Sequence, residues 1–326
     1  MTSTPRISVI VPSYNHRRFL PERIDTILNQ TRQDFELILL DDASQDGSAE
    51  YLQEVSERSG ARFIPNLQNT GSPFAQWNRG LSAAKGEFVW IAESDDVADP
   101  GFLEALVRIL ESDDNIGIVF CRSRRIDENG QCVPETPSSM DDELRHDFRI
   151  VRCDAVRTHL YTGNTIVSAS AVVFRRRIYN AAGPADASFR LSGDWLQWSR
   201  MLLISDLSYI AEPLSGTRIH TNTRRHSTST SGTLELESLA VQKYIRGQLQ
   251  IDRQQVRMGA QRMSLSWLQA MRAGRFSGNL MRHPLFFYRL FCTDAATGLI
   301  FALNWPYAFL VWIVKRFCPA FRPSDP

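Results

Sequence analysis

The stretch that most constrains this chain is Phe88 to Asp96, where an apolar run ends on three carboxylates. Phe88–Ile91 holds no polar residue, which is typical of a strand buried on both faces of a parallel sheet. Glu93, Asp95 and Asp96 then fall at the carboxyl end of that strand, where open α/β sheets bind their ligands. Carboxylate oxygens there favour a divalent cation, Mg²⁺ or Mn²⁺, that bridges to the phosphates of a nucleotide.

A plainer interpretation of these acids is an acidic loop that caps the next helix. Asp99 followed by Pro100 has the pattern of an N-cap with proline at the first helical position. That pattern accounts for Asp99 but leaves Glu93, Asp95 and Asp96 unexplained. The metal hypothesis is favoured once the upstream segments are considered.

Short apolar runs alternate with amphipathic segments upstream. Ile7–Val11 predicts a first strand, and Phe35–Leu40 predicts a second strand that ends on Asp41 and Asp42. Between the two runs, apolar residues at helical spacing predict a helix over residues 19–30. Right-handed crossovers place the loops after successive parallel strands at one edge of the sheet, so we expect these aspartates near the acids of the central stretch.

Another acid, Asp194, precedes a second amphipathic segment that holds Leu196, Trp198 and Met201. One carboxylate at the edge of a site suits a general base. An aspartate just before a helix is more often its N-cap, and the pattern leaves both interpretations open.

The composition excludes several classes of protein. Net charge is +1 and charged residues make up 22% of the chain, so no basic footprint indicates nucleic-acid binding. The five cysteines include no C-x-x-C pair, so neither a disulfide framework nor a zinc site is indicated. Residues 1–6 do not resemble a signal peptide. We therefore expect a cytoplasmic protein, at the inner face of the membrane if it contacts one.

The uncharged segment Ala295–Val314 raises that possibility of membrane contact. Its length matches a span of about 20 residues, but Pro306 lies in its middle. A spanning helix, a shallow or re-entrant helix pair and a buried core segment all fit this pattern.

The segments Ile7–Asn15, Phe35–Ser48, Asn69–Gly71 and Lys85–Asp96 together resemble the family 2 glycosyltransferases. The resemblance implies the α/β GT-A fold, in which a Rossmann-like mixed sheet is flanked by helices, here with a helical C-terminal extension.

The resemblance gives the expected bounds of the first domain, and the residue pattern that follows gives those of the second. A glycosyltransferase domain covers residues 1–226, with a nucleotide-sugar-binding half at 1–121 and an acceptor-binding half at 122–226. Residues 227–326 form a helical region whose apolar end is the candidate for peripheral membrane contact.

The resemblance also assigns residues to the donor site. It implies that Asp41 contacts the base or ribose, with Asp42 beside it, and that Glu93-Ser94-Asp95 takes the place of the family's Asp-x-Asp. The first acid then lies near the ribose and Asp95 binds the metal. The other residues expected to line the donor site are Pro12, Ser13, Tyr14, Asn15, Asn69, Gly71 and Lys85.

Two later motifs complete the expected site. Ser192-Gly193-Asp194-Trp195 resembles the family's base motif and makes Asp194 the general base. Arg218-x-His220 resembles an element whose histidine approaches the metal and the diphosphate. His226 is a second candidate for that role, and a surface histidine is the alternative for both.

The implied activity is an inverting transfer from a UDP-, dTDP- or GDP-sugar to a saccharide or lipid-linked saccharide, in cell-surface polysaccharide synthesis. No second, nucleophilic carboxylate motif indicates a double displacement. One alternative is a polyprenyl-phosphate acceptor, and another is a non-catalytic sugar-nucleotide binder in an assembly. A dehydrogenase and a nucleoside triphosphatase are disfavoured, because G-x-G-x-x-G is missing after the first strand and G-x-x-x-x-G-K-[ST] is missing from the chain.

Overall fold

The structure, a computed structural model, describes residues 5–133, 143–220, 232–272 and 282–317. The chain divides into two compact units. The first holds Met1–Val156 and Thr165–His220, and the second holds Arg157–Asn164 and Thr221–Pro326. The segment Arg157–Asn164, which we call the strap, therefore leaves the first unit and joins the second.

The first unit is built on a mixed sheet whose strands run in the order β3-β2-β1-β4-β8-β6-β9-β5, with β7 paired to β9. The strands are β1 (Ile7–Ser13), β2 (Phe35–Asp41), β3 (Arg62–Pro65), β4 (Phe88–Ile91), β5 (Val97–Ala98), β6 (Ile116–Ile126), β7 (Phe148–Ile150), β8 (Val172–Arg175) and β9 (Asp206–Arg218).

The helices of the first unit cover both faces of this sheet. They are α1 (Leu20–Leu28), α2 (Ser48–Ser59), α3 (Pro73–Ala83), α4 (Phe102–Ser112), α5 (Arg152–Ala155), α6 (Arg176–Ala182) and α7 (Gly193–Leu202). The mixed α/β architecture expected from the sequence is confirmed.

Strands β3, β2, β1 and β4 are parallel to one another, so their carboxyl ends meet at one edge. Residues of β1 alternate between the two faces of the sheet. Val9 and Val11 join the core formed with α1, α2 and α4, while Ile10 faces α3, where a Cβ on Gly80 would come within 2.4 Å of it. A glycine at this position therefore lets α3 approach the sheet closely.

The expected cap at Asp99 is wrong. The N-cap of α4 is Gly101, and the two-residue strand β5 lies between the central acids and that helix. The Asp99 carboxylate instead accepts hydrogen bonds from the Arg124 guanidinium. An arginine that offers a bidentate, charge-assisted pair is a better partner for this carboxylate than an amide of a helix end.

The described part of the second unit is mostly helical, and the strap begins within the π-helical turn Val156–Leu160. Its helices are α8 (Thr233–Gln248), α9 (Arg253–Arg272), α10 (Arg282–Thr293) and α11 (Ala295–Phe317). Its core includes Trp267 stacked on Phe286, with ring centroids 4.1 Å apart. Two hydrogen bonds tie the strap to α9, from Gln255 to the Arg157 carbonyl and from Arg262 to the Thr162 carbonyl.

Pro306 does not divide the apolar segment into a helix pair, since α11 runs unbroken through it. Inside a helix, proline removes one hydrogen bond and adds a local clash, and a long helix absorbs both as a bend. None of the helices in the described ranges combines the length and the apolar content that a membrane crossing requires.

Candidate active site

The loops after β1 and β2 are tied to each other at the carboxyl edge of the sheet. The Asn15 N–H donates to Ser44 Oγ at 2.9 Å, and the Gln45 N–H donates to Asn15 Oδ1 at 2.8 Å. Asn15 and Ala43 both have positive φ, +54° and +61°, a conformation that is uncommon for residues other than glycine. These contacts hold Asn15 at the rim of the site, and Tyr14 beside it is 38% exposed.

Asp41 and Ser13 lie side by side at the ends of β2 and β1. Both are buried, and one Asp41 oxygen accepts a hydrogen bond from the Ser44 N–H at 2.9 Å. The other Asp41 oxygen and Ser13 Oγ have no hydrogen-bond partner within the described residues. A buried carboxylate oxygen without a donor is costly unless a ligand supplies one, so this place fits an N–H or O–H of a base or ribose.

Asp42 has a different role from the one expected. Its carboxylate accepts hydrogen bonds from Asn66 Nδ2, Gln76 Nε2, and both the backbone N–H and the hydroxyl of Thr70. These donors occupy both oxygens of a carboxylate that is 2% exposed. Asp42 fastens the loop before α3, and its expected contact with the nucleotide is corrected on this ground.

The expected placement of Lys85 in the donor site is also wrong. Its backbone N–H donates to Glu36 Oε1 at 2.6 Å, and Gly86 next to it donates to Ser8 Oγ. Ser8 and Glu36 lie near the amino ends of β1 and β2. Because Lys85 precedes β4, it lies at the edge of the sheet opposite the acids.

Asn69 and Gly71 form a turn ahead of α3. Asn69 Oδ1 accepts a hydrogen bond from the Gly71 N–H at 2.6 Å, and Gly71 has φ of +68°. The Gly71 carbonyl accepts a hydrogen bond from Arg190, in the loop that leads to α7. The turn is thus linked to the segment that carries Asp194.

Glu93 is held by an indole. Trp77 Nε1–H donates to Glu93 Oε1 at 3.0 Å, and Trp77 is 2% exposed. Burial, and then the charge of Asp95, raise the pKa of Glu93 to about 8. Glu93 is therefore mostly protonated at neutral pH and can donate as well as accept a hydrogen bond.

Asp96 fixes the acidic loop from within. Its oxygens accept hydrogen bonds from Ser168 Oγ and from the Arg218 N–H, both at 2.9 Å. Burial, and then the charge of Asp95, raise the pKa of Asp96 to about 6. With both oxygens bonded inside the fold, Asp96 is a positioning residue for its neighbour Asp95.

Asp95 lies between two histidines. Its Oδ2 is 3.0 Å from His220 Nε2, and candidate ligand atoms of His16, Asp95 and His220 all lie within 4.8 Å of one another. Burial alone raises the pKa of Asp95, but the hydrogen bond with His220 and the charges of the two histidines bring it below its usual value. Asp95 thus stays ionised, as a metal ligand must be.

His16 was missed by the sequence analysis. Its Nδ1 is hydrogen-bonded with Ser94 Oγ at 2.7 Å, and its ring lies 5.6 Å from that of His220 in an edge-to-face arrangement. The available signal was its position, directly after Asn15 in the loop at the carboxyl end of β1. Ser94, expected to contact the donor, here orients a candidate metal ligand.

Two buried arginines support the acids. Arg218 donates to the Asp95 carbonyl at 2.7 Å and to Glu22 Oε2 at 2.6 Å. Arg23 is fully buried over the Trp90 ring, 4.6 Å from its centroid. Burial lowers the pKa of Arg23 to about 10, against the opposing effect of the three acids, so it remains charged at neutral pH.

Asp194 lies in the first turn of α7, whose N-cap is Ser192, so the interpretation of Asp194 as the N-cap is wrong. Gly193 before it packs on Phe74, and the Phe74 ring meets Trp77 with centroids 5.2 Å apart. Because Trp77 binds Glu93, packed rings connect Gly193, the residue before Asp194, to the acidic loop. His226, the other expected histidine, lies outside the described residues.

A protein-family model and several known proteins are similar to this chain, and the family model matches more than half of it. The model of the family described as "Glycosyl transferase family 2" matches residues 8–182. An uncharacterized glycosyltransferase of Nostoc sp. is 28% identical over 236 residues, 72% of this chain and 70% of that protein. The glycosyltransferase GlyG of Streptococcus pneumoniae is 36% identical over 108 residues, but this match spans only 33% of the chain and 36% of GlyG.

Two solved structures share the fold. S. aureus TarS 1–349 in complex with UDP-GlcNAc superposes with a TM-score of 0.66 at 16% identity, over 95% of this chain and 91% of that one. The mannosyltransferase PcManGT of Pyrobaculum calidifontis, in complex with GDP-Man and Mn²⁺, gives a TM-score of 0.59 at 18% identity, over 99% and 89%.

Proposed function

Because the chain belongs to glycosyl transferase family 2 and is therefore a glycosyltransferase, we propose that it moves a sugar from a nucleotide-diphosphate donor to a hydroxyl of a saccharide or lipid-linked saccharide, with inversion at the anomeric carbon. The observation that carries the proposal is one site at the carboxyl edge of the sheet. There an oxygen of the buried Asp41, which has no partner among the described residues, lies at the end of β2, and His16, Asp95 and His220 come together after β1, β4 and β9.

The donor set of this group fits a divalent ion. His16 and His220 offer imidazole nitrogens and Asp95 offers a carboxylate oxygen. Two nitrogen ligands favour Mn²⁺ over Mg²⁺, because Mg²⁺ prefers an all-oxygen shell. When bound, the ion would stabilise the negative charge that develops on the leaving diphosphate.

The chain's own residues supply the remaining parts of the reaction. The acceptor oxygen forms its bond to the anomeric carbon while the bond from that carbon to the diphosphate breaks. Asp194 takes the proton of the attacking hydroxyl, and the nucleoside diphosphate leaves. One in-line displacement inverts the anomeric centre, as in inverting hydrolases.

We infer the substrates by analogy with the family and with the structural neighbours. Candidate donors are UDP-, dTDP- and GDP-sugars, of which two kinds are bound by the structural neighbours TarS and PcManGT. We place the reaction in cell-surface polysaccharide synthesis, in the cytoplasm at the inner face of the membrane, with contact through Ala295–Val314. A polyprenyl phosphate remains the alternative acceptor.

A thermal-shift titration with UDP, dTDP and GDP, with and without Mn²⁺, tests the donor site. A ligand that binds only the native state raises its stability by mass action, by about 2.7 kcal/mol at a hundredfold excess over Kd. We expect one nucleotide to shift the melting temperature in a Mn²⁺-dependent manner. Asp95→Asn should lose the Mn²⁺-dependent part, whereas Asp25→Asn, which changes an exposed aspartate of α1, should keep it.

No shift with any nucleotide in either metal condition would leave the donor site without support and favour the non-catalytic assembly partner. A shift of equal size in Asp95→Asn would remove Asp95 from the metal site.

The role of Asp194 needs a kinetic test. Asp194→Asn should lower kcat by about 10² to 10⁴-fold, the usual contribution of a general base, and leave the nucleotide shift intact. Asp186→Asn, in the loop before α7, is the matched control and should retain activity. If Asp194→Asn stayed fully active, a phosphate acceptor that arrives already ionised would replace the hydroxyl acceptor.

A further inference from the structure

Helices α10 and α11 present an uncharged surface to solvent. From Pro284 to Pro306 the only charged residues are Arg289 and Asp294, and both are half-buried. Six large hydrophobic side chains are exposed in this span: Leu285, Tyr288, Phe291, Leu299, Ile300 and Leu303. We call these six residues the apolar face. An ordinary surface helix shows the opposite pattern, with charged residues toward water.

The two charged side chains of this span and the nearby His283 form hydrogen bonds with other groups of the protein. Arg289 donates to the Leu236 carbonyl at 3.1 Å, and Asp294 accepts from the Thr297 N–H at 2.9 Å. His283 is 5% exposed and accepts a hydrogen bond from Trp267 Nε1–H. The core of the helix pair is filled by other residues, Phe286, Leu290 and Phe301. The apolar face is therefore additional to that core.

The two helices form one continuous surface. A Cβ added to Gly298 would lie 2.8 Å from the Phe291 Cα, so α11 crosses α10 at close range. The rings of Phe286 and Phe301 meet beneath, with centroids 5.2 Å apart. The exposed Phe291 and Leu299 thus belong to neighbouring turns of a packed pair.

Cationic residues stand at both ends of the apolar face. At the end near Thr293, Arg246 bonds to the Thr293 carbonyl, and Arg257 lies 3.9 Å from Asp294 with a side chain 59% exposed. At the other end, the half-buried Arg282 begins α10 and donates to Thr233 Oγ1 at 2.7 Å. In the described residues of the second unit, eleven arginines and lysines face four acids.

The charges around the apolar face favour one of two binding partners for it, a second copy of the chain or a membrane. A second copy of the chain, paired in either direction, would bring cationic ends against cationic ends, which is unfavourable. A bilayer with anionic headgroups complements the same pattern, since apolar side chains enter the acyl boundary while the exposed Arg257 and the net positive charge of the unit attract phosphates.

We propose that the apolar face and its flanking arginines bind the surface of a membrane that contains anionic phospholipids. The helices lie along the interface, with Leu299, Ile300 and Leu303 inserted. The inference refines the membrane contact named with the proposed function and depends on none of the catalytic residues.

Vesicle co-sedimentation of the full chain tests it. We expect binding to phosphatidylcholine vesicles that contain phosphatidylglycerol, weaker binding to pure phosphatidylcholine, and a decrease with salt. The double change L299E/L303E should lower the partition coefficient by more than about tenfold, since each lost leucine insertion is worth roughly that factor. L265E is the matched control, because Leu265 of α9 is 57% exposed, as is Leu299, and should partition like the unchanged chain.

Equal partitioning of L299E/L303E and the unchanged chain, or no binding by the unchanged chain, would overturn the proposal. So would light scattering that shows a dimer which L299E/L303E converts to a monomer, because the apolar face would then pair with a second copy. The nucleotide-induced thermal shift of L299E/L303E reports separately on its fold and on the donor site.

Discussion

Asp41 and Asp42 show how neighbouring residues of one type acquire separate roles. Asp41 keeps a buried oxygen for which the described residues offer no donor, while Asp42 has donors on both oxygens. A sequence motif cannot separate them, because the donors to Asp42 come from residues 24 to 34 positions away.

Exchanging each aspartate for asparagine should separate the two roles. Asp42→Asn should lower the free energy of unfolding by about 2–3 kcal/mol, because an amide NH₂ then faces buried donors that had a charged acceptor. Asp41→Asn should change stability by less than about 1 kcal/mol and weaken the nucleotide-induced thermal shift. Urea denaturation and the shift assay measure both. A nucleotide defect in Asp42→Asn at unchanged stability would return Asp42 to the donor site.

Trp77 and Trp198 offer a second matched pair. Both indoles are buried, but Trp77 Nε1–H donates to Glu93, whereas Trp198 Nε1 has no hydrogen-bond partner within the described ranges. Trp77→Phe should therefore cost about 1–2 kcal/mol more unfolding free energy than Trp198→Phe, since it leaves Glu93 without its donor. Urea denaturation of both variants measures the difference, and equal losses would show that ring volume alone matters at both sites.

At the same scale, the sequence predicts part of the candidate site. The acids after β4 and the late histidine are carried by local motifs, and the structure brings Asp95 and His220 together as expected. His16 entered no motif, and its approach to His220 depends on where β1 and β9 end. Lys85 was misplaced because a motif fixes a residue in the chain but not the edge of the sheet to which it belongs.

At the scale of elements, the alternation of strands and helices was predictable because the parallel strands are buried and the helices are amphipathic. Strand β4 covers the apolar run, and α3 begins at Pro73 behind a Ser72 cap. The prediction failed at element ends. Asp99 does not cap α4, because its carboxylate binds Arg124, which lies 25 residues further along the chain.

Gly193, the first residue of α7, packs against α3 next to the proposed base Asp194. A Cβ there would lie 2.5 Å from the Phe74 ring, so Gly193→Ala must shift α7 or that ring. Such overpacking costs about 1–3 kcal/mol, and the displaced Asp194 should lower kcat more than it raises the KM of the donor. Gly101→Ala is the control, since none of the residues that the structure describes comes within 4 Å of its added Cβ. Steady-state kinetics with unchanged kcat in Gly193→Ala would contradict the placement of Asp194 as base.

An ion cluster joins the end of α4 to the amino edge of the sheet. Glu111 accepts from Arg32 at 2.7 Å and from Arg6 at 3.0 Å. The hydrogen bond from Arg32, and then that from Arg6, lower the pKa of Glu111 to about 2 despite some burial.

A folded-state pKa below the unfolded value means that the cluster stabilises the fold above about pH 4.5, and that this contribution is lost as the pH falls toward 2. Glu111→Gln should thus cost about 0.5–1 kcal/mol at pH 7, as exposed pairs do, and progressively less between pH 5 and pH 3. Denaturation at several pH values measures it, with the exposed Glu104→Gln of the same helix as control. A cost that did not change with pH would exclude the ionic origin.

At the scale of the whole molecule, the division into two units does not follow the order of the chain. The strap lies within the first 165 residues yet belongs to the helical unit. Its Leu160 and Tyr161 are fully buried. Residues 227–326 were expected to be helical, but nothing in the sequence pattern indicated the strap, because eight residues are too few to show a period.

A fragment that ends at His220 should therefore be less soluble and melt at a lower temperature than the full chain, since it exposes Leu160 and Tyr161. Replacing both with serine in the fragment should recover solubility. Soluble yield and thermal melting measure these effects. A fragment as stable and soluble as the full chain would show that the strap does not need the helical unit.

The strap also sets an order of events during synthesis. It leaves the ribosome about 70 residues before α8 begins, which at about 5–20 residues per second is a delay of roughly 4–14 s. During that interval the sheet can form while two buried apolar side chains await partners that have not yet been translated. For those seconds the nascent chain thus exposes, near its middle, side chains that are fully buried in the finished fold.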